Sequence, residues 1–141
     1  MSSRQHSRIR SGFTLIELLL VMVILAVLAA IVVPKFTSRS EQARKTAAGQ
    51  DISAFELALD SFEVDNGHYP SSDEGLGALV TQPSDATNWH GPYLKEVKND
   101  PWGHPYIYRY PGQHNTTGYD LISSGTDGQE GTADDVTNFS H

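Results

Sequence analysis

The chain has 141 residues, 38% of them apolar, no cysteine, and a net charge of −7 from 10 Lys+Arg and 17 Asp+Glu. Residues 1–12 hold Arg4, Arg8 and Arg10 and no acid, leaving −10 for the rest, and from Gly112 onward five acids stand without a Lys or Arg. Phosphate binding needs clustered cations, so nucleic acid is excluded as a partner; without disulfides, a metal ion or assembly with neighbours is the available supplement to a small core.

Behind the basic start, Phe13–Val33 contains only Thr14 and Glu17 that are not apolar. As a helix its 21 positions span roughly 30 Å, the hydrocarbon thickness of a bilayer. That is longer than the apolar stretch of a cleaved secretory signal, and Ala29-Ala30 is followed by Ile31-Val32-Val33-Pro34-Lys35 rather than a polar start. A retained anchor is the better reading, with the three arginines holding its first end in the cytoplasm and the remainder outside. The lone Glu17 costs about 2–4 kcal/mol if it meets lipid unpaired, so it calls for a partner.

After Pro34 the pattern turns amphipathic. Ala48, Ile52, Phe55, Leu59 and Phe62 follow 4-3-4-3 spacing, one stripe of a helix. Asn66-Gly67 is a stop signal. One helix from near Phe13 to about Asn66 is predicted, with a kink or local loosening at Pro34. A coiled coil is the rival account of the stripe and is weaker, because barely two heptads are sustained.

From His68 the composition shifts to Gly, Pro, Ser, Thr, Asn and Asp with scattered aromatics. A short helix is expected around Glu74–Leu79. Strand signals fall at Tyr106–Tyr110 and Tyr119–Ser123, joined by a hairpin loop over Pro111–Gly118. The predicted fold is α+β, a long N-terminal helix packed against a small antiparallel sheet. In the tail, Ser123-Ser124-Gly125-Thr126-Asp127-Gly128 and Ala133-Asp134-Asp135-Val136 gather three carboxylates across a Gly-rich loop. Oxygen donors without His or Cys suit Ca²⁺, although the spacing is not that of an EF-hand. By composition alone such residues are more often a solvated surface.

No catalytic constellation emerges. The six histidines at 6, 68, 90, 104, 114 and 141 lack paired metal spacing, and no GxSxG or phosphate-binding glycine loop is present. Tyr69, Tyr93, Trp102, Tyr106 and Tyr108 read as core and turn-packing residues. Asn115-Thr116-Thr117 and Asn138-Phe139-Ser140 match a glycosylation sequon too short to carry weight.

Gly12-Phe13-Thr14-Leu15-Ile16-Glu17 after a short basic leader resembles the class III signal of type IV pilins and type II secretion pseudopilins. Gly67-His68-Tyr69-Pro70, Glu74-Gly75-Leu76-Gly77-Ala78-Leu79, Gly91-Pro92-Tyr93-Leu94, Asp100-Pro101-Trp102-Gly103, Gly118-Tyr119-Asp120-Leu121 and the acidic tail are similar, in order, to the major pseudopilins of type II secretion. Two departures stand out. The loop around Asn115–Thr117 is long, and Asn138-Phe139 stands where a tryptophan often follows the asparagine.

The resemblance implies a type IV pilin-like fold and four segments: a leader at 1–12, a transmembrane and assembly helix at 13–34, an amphipathic stalk at 35–66 and a periplasmic globular domain at 67–141. It implies that a prepilin peptidase of the inner membrane cuts after Gly12 and methylates Phe13. The new α-ammonium would then be a partner for Glu17, between subunits or within one. It implies one Ca²⁺ in the tail loop, held by the side chains of Asp127 and Asp134 or Asp135, with carbonyls near Ser124 and Val136–Thr137. The expected role is that of a non-enzymatic major subunit that polymerises through its N-terminal helices. The filament would stand in the periplasm, work with minor pseudopilins and an inner-membrane assembly platform, and drive folded proteins across the outer membrane. The alternatives are a type IV pilin, a minor pseudopilin, or a membrane-anchored Ca²⁺-dependent binding module.

Overall fold

The computed structural model describes residues 11–139, those of 33–37 by their backbone alone. The Arg4, Arg8 and Arg10 cluster and Ser140 of the second sequon lie outside the described residues. The elements in chain order are α1 (Leu15–Asn66), a 3-10 helix (Gly75–Leu79), β1 (Ile107–Arg109), β2 (Asp120–Ser123) and β3 (Val136–Thr137). The chain divides into two compact units, Met1–Ser40 and Glu41–His141. The predicted stalk therefore shares a unit with the globular layer from Glu41 onward.

In the first unit, Thr14 starts α1 by capping it. Its hydroxyl oxygen accepts the Glu17 N–H at 3.3 Å, and its carbonyl accepts the Leu18 N–H at 3.2 Å. The Thr14-x-x-Glu17 spacing is the sequence of a capping box, and Glu17 in the first turn also suits the positive end of the helix dipole. Phe13 therefore lies just before the helix rather than in it. Leu15–Val32 has a mean hydropathy of 3.2 and none of its residues is buried. The chain stays helical through Pro34, where a kink or loosening was predicted.

In the second unit the predicted stripe is the core face of α1. Ala48, Ile52, Phe55, Leu59 and Phe62 are all at most 5% exposed. From Ile52 onward they pack with Leu76 and Leu79 of the 3-10 helix, Tyr106 and Tyr108, Tyr119 and Leu121. Rings meet edge to face, Phe55 with Tyr106 at 4.9 Å and Tyr69 with Tyr119 at 4.9 Å, the arrangement favoured by the aromatic quadrupole. Burial pushes the Tyr106, Tyr108 and Tyr119 hydroxyls up from their ordinary range. The helix ends where predicted: Gly67 takes φ +80°, and its N–H donates to Glu63 O at 2.7 Å.

The acids flanking the stripe are used by the layer above. Tyr106 donates to Asp51 at 2.8 Å, Tyr69 to Asp60 at 3.3 Å and Tyr93 to Asp65 at 2.6 Å. Each tyrosine thus packs its ring in the core while its polar tip reaches the helix.

The sheet order is β1-β2-β3, antiparallel throughout, with Tyr108 opposite Leu121 and Ser123 opposite Val136. All four β2 residues are buried. Leu121 belongs to the helix-facing core, and Asp120 is enclosed by the 111–118 loop. β3 was not predicted, since two residues leave no alternation to read. It pairs Val136-Thr137, which the sequence reading had placed among the cation's carbonyl donors. Beyond it, Asn138 takes part in three hydrogen bonds with Leu121 and Tyr119, and Phe139 stacks on His114 with ring centroids 4.0 Å apart.

Candidate functional site

Two places carry the predicted functional residues, one in each unit. At the N-terminal place, Gly12 and Phe13 are exposed, Phe13 by 80%, and nothing would obstruct a Cβ at Gly12. Glu17 follows on the first turn of α1, also exposed. The arrangement is an accessible backbone immediately before a capped helix whose first eighteen residues are apolar but for Glu17.

The second place is the tail loop between β2 and β3. The five acids from Asp120 at the start of β2 to Asp135 at the loop's end have distinct surroundings. Glu130 receives both guanidinium nitrogens of Arg109, the second at 2.6 Å, and the pair holds Glu130 below the usual carboxylate range. Asp120 is fully buried and accepts N–H groups from Gln113 at 2.7 Å, His114 at 2.9 Å and Asn115 at 2.9 Å. Burial alone would push Asp120 up, but these amides with the His114 ring outweigh it and hold the carboxyl below its ordinary value.

The remaining three, Asp127, Asp134 and Asp135, converge on one hydroxyl. Thr132 Oγ1 lies 2.6 Å from Asp134 Oδ1, 3.3 Å from Asp127 Oδ1 and 3.3 Å from Asp135 Oδ1, with Gln129 O at 3.1 Å. A hydroxyl has one proton to donate, and the shortest distance gives it to Asp134. The other oxygens face it lone pair to lone pair. Among the described residues no Lys or Arg pairs with these three carboxylates.

Backbone groups draw the three together. Asp134 Oδ2 accepts the N–H of Thr126 at 2.6 Å and of Asp127 at 3.1 Å, and Asp135 Oδ2 accepts the Gly131 N–H at 2.7 Å. The Thr132 hydroxyl, with these amides, holds Asp134 below the usual carboxylate range. Gly125 makes the close approach possible: at φ +60°, a Cβ there would fall 2.6 Å from both Asp134 O and Asp134 Oδ2.

Of the predicted ligand set, then, the three aspartates come together. Ser124 lies buried at the loop's first stem, its carbonyl accepting the Gly128 N–H at 3.1 Å, and Val136-Thr137 form the opposite stem. Among the described residues no group of three or more His, Cys, Asp or Glu side chains is placed so that it could hold a metal ion. The donors there are nonetheless oxygen atoms only, with an excess of negative charge, the chemistry a hard cation takes, and the point on which they converge is filled by the Thr132 hydroxyl.

Sequence reasoning missed Thr132, whose hydroxyl is the focus. It also missed the buried Asp100, which accepts the Ser123 hydroxyl at 2.6 Å and the His104 N–H at 2.8 Å beside the loop's stem. The signal for Thr132 was its place between Gly131 and Asp134-Asp135; Asp100 left none beyond the Asp-Pro turn pair.

Residues 35–139 match the family profile described as type II secretion system (T2SS), protein G, and residues 7–33 match that of the prokaryotic N-terminal methylation motif. The chain belongs to the type II secretion protein G family. A relative named type II secretion system core protein G in Escherichia coli K12 is 46% identical over 132 residues, covering 91% of this chain and 90% of its own. Its namesake in Pseudomonas aeruginosa PAO1 is 49% identical over 131 residues, covering 90% and 91%.

The crystal structure of the major pseudopilin from the type 2 secretion system of enterohaemorrhagic Escherichia coli matches with a TM-score of 0.66 and 34% identity, over 77% of this chain and 96% of that one. A protein G is a structural subunit of the type II secretion pseudopilus, and it assembles there with other secretion components. The apolar helix behind an N-methylation motif accords with membrane anchoring.

Proposed function

We propose that this chain is the major, non-enzymatic pseudopilin of its system. It would be held in the inner membrane by a single pass with its C-terminal domain in the periplasm. There it would polymerise into a filament that pushes folded proteins through the outer membrane. The observation that carries this reading is the N-methylation motif set on α1, with Gly12-Phe13 accessible and Leu15–Val32 wholly unburied. Cleavage after Gly12 would create an α-ammonium at Phe13, four residues before Glu17. Pairing of that amine with a Glu17 carboxylate is favourable chiefly because the alternative is a lone charge in an apolar bundle. Such a pair sets the register between helices more than it adds stability. Minor pseudopilins and an inner-membrane assembly platform are the natural partners, with a prepilin peptidase as the processing enzyme. The mass of the mature protein tests the reading: it should begin at Phe13 and carry one methyl group. A chain that retains residues 1–12 in the assembled state would overturn it.

The same reading includes a structural Ca²⁺ in the tail loop. Asp127, Asp134 and Asp135 would hold it by their side chains, with stem carbonyls near Ser124 and Val136–Thr137 completing the set. Bound there, the ion supplies positive charge to three carboxylates that have no Lys or Arg partner among the described residues, and so ties the two stems of a loop that has no disulfide. Thermal melting of the full chain in detergent, with calcium and with chelator, is the measurement. The transition should fall on chelation, and an unchanged transition would remove the ion from the account.

A further inference from the structure

Glu41 stands where the described contacts of α1 with the tail loop begin, 85 residues from Thr126 and 61 from Trp102. Its Oε2 accepts the Thr126 hydroxyl at 2.9 Å and the Trp102 indole N–H at 3.0 Å. Its Oε1 faces Arg44 at 3.4 Å. The Thr126 N–H in turn donates to Asp134 Oδ2 at 2.6 Å. One short path of hydrogen bonds therefore runs from a carboxylate of the loop, through one residue, to the helix.

A second path reaches Glu41 through Trp102. The Trp102 backbone N–H donates to Asp100 Oδ1 at 3.1 Å, and Asp100 Oδ2 accepts the Ser123 hydroxyl at 2.6 Å, so the turn bearing Trp102 grips the loop's first stem. His104, two residues on, sits with Nδ1 3.1 Å from Gly125 O. None of residues 41–47 is buried, and the apolar stripe starts only at Ala48. This turn of α1 consequently has polar contacts where the rest of the unit has a core.

We infer that Glu41 is the positioning residue that ties the tail loop to α1, so that filling the loop with a cation orders the helix turn around Glu41. The inference rests on the calcium reading above. A loop held by an ion presents Thr126 in one place, and the Thr126 and Trp102 donors then fix Glu41. A loosened loop withdraws Thr126 and leaves residues 41–47 of α1 to open locally, as poorly packed segments do.

The test is amide hydrogen exchange on the full chain in detergent micelles, with calcium chloride and with chelator, for the wild type, Glu41→Ala and Thr126→Val. In the wild type, calcium should slow exchange both in the loop at 126–135 and in α1 at 41–48, the latter on the order of tenfold, as expected for loss of hydrogen bonds to a charged group. In both variants the loop should still respond while 41–48 does not. An α1 response retained at wild-type size in both variants overturns the inference, as does a wild-type loop that responds while 41–48 stays silent. A wild-type loop indifferent to calcium overturns the calcium reading and the inference together, so the two failures are distinguishable.

Discussion

The two halves of α1 are made of similar apolar residues and have opposite fates. In Leu15–Val32 no side chain is buried, and Leu25 and Ile31 are 59% and 57% exposed. In the second half, Leu59 and Phe62 are fully buried, and every stripe residue from Ala48 is at most 5% exposed. The difference lies in what the chain itself provides. The stripe is one face wide, and residues after His68 supply the opposing layer. The first segment is apolar on every face but for Glu17 and is left unburied, which accords with membrane anchoring. One helix thus has a half covered by its own chain and a half left uncovered.

The largest effect that would sharpen this contrast is at Glu17. Glu17→Ala should leave membrane insertion and processing mostly intact while abolishing crosslinks between N-terminal helices and, with them, secretion. A membrane-anchored binding module would be indifferent to the change, so normal secretion by the variant would break the filament reading.

The next effect lies in stability. Phe62→Ala should cost about 3–5 kcal/mol by the usual penalty for emptying a core site, whereas Leu25→Ala should change the melting of the second unit by less than about 0.5 kcal/mol. Thermal melts of the full chain in detergent compare them directly. Equal losses would mean that the first half is packed after all.

A smaller effect concerns Asp120. Its folded pKa lies below the ordinary one, so its contribution is fully present above the unfolded value near ~3.9 and is lost as pH falls through the folded value. Stability should therefore be flat above about pH 5 and decline below about pH 4. Asp120→Asn should cost about 1–3 kcal/mol near neutrality, since the backbone amides of 113–115 lose a charged acceptor, and should flatten that acid limb. An unaltered acid limb in the variant would assign the decline to other groups.

The smallest is Tyr106→Phe. It keeps the ring against Phe55 and removes only the hydroxyl bond to Asp51, so a loss of about 1 kcal/mol is expected. A loss as large as that of Phe62→Ala would show that the bond between helix and layer, rather than the stripe, carries the packing.

Much of the fold was legible because its signals are local. The 4-3-4-3 stripe, the Asn66-Gly67 stop and the alternation at Tyr106–Tyr110 each arise from a period that neighbouring residues display. The predicted helix at Glu74–Leu79 is present as a 3-10 turn, since Gly75 and Gly77 weaken a longer α-helix. Strand β3 was hidden, because a two-residue strand has no period and exists only through pairing with β2.

The site divides in the same way. That Asp127, Asp134 and Asp135 share a loop could be read from their spacing. That Thr132 is their focus, and that Glu41 reaches Thr126 from 85 residues away, could not. Nor could spacing foretell that, of five tail acids, Glu130 would be taken by Arg109 and Asp120 by its own loop.

By itself the chain determined the capped apolar helix with its motif, the buried face of α1 and the presence of an acidic loop, all matters of order along the backbone. Which acids are neutralised, caged or left together was decided only by the tertiary structure. A carboxylate's state depends on which donors surround it in space, and those donors come from Arg109, Thr132 and the 113–115 amides on separate segments.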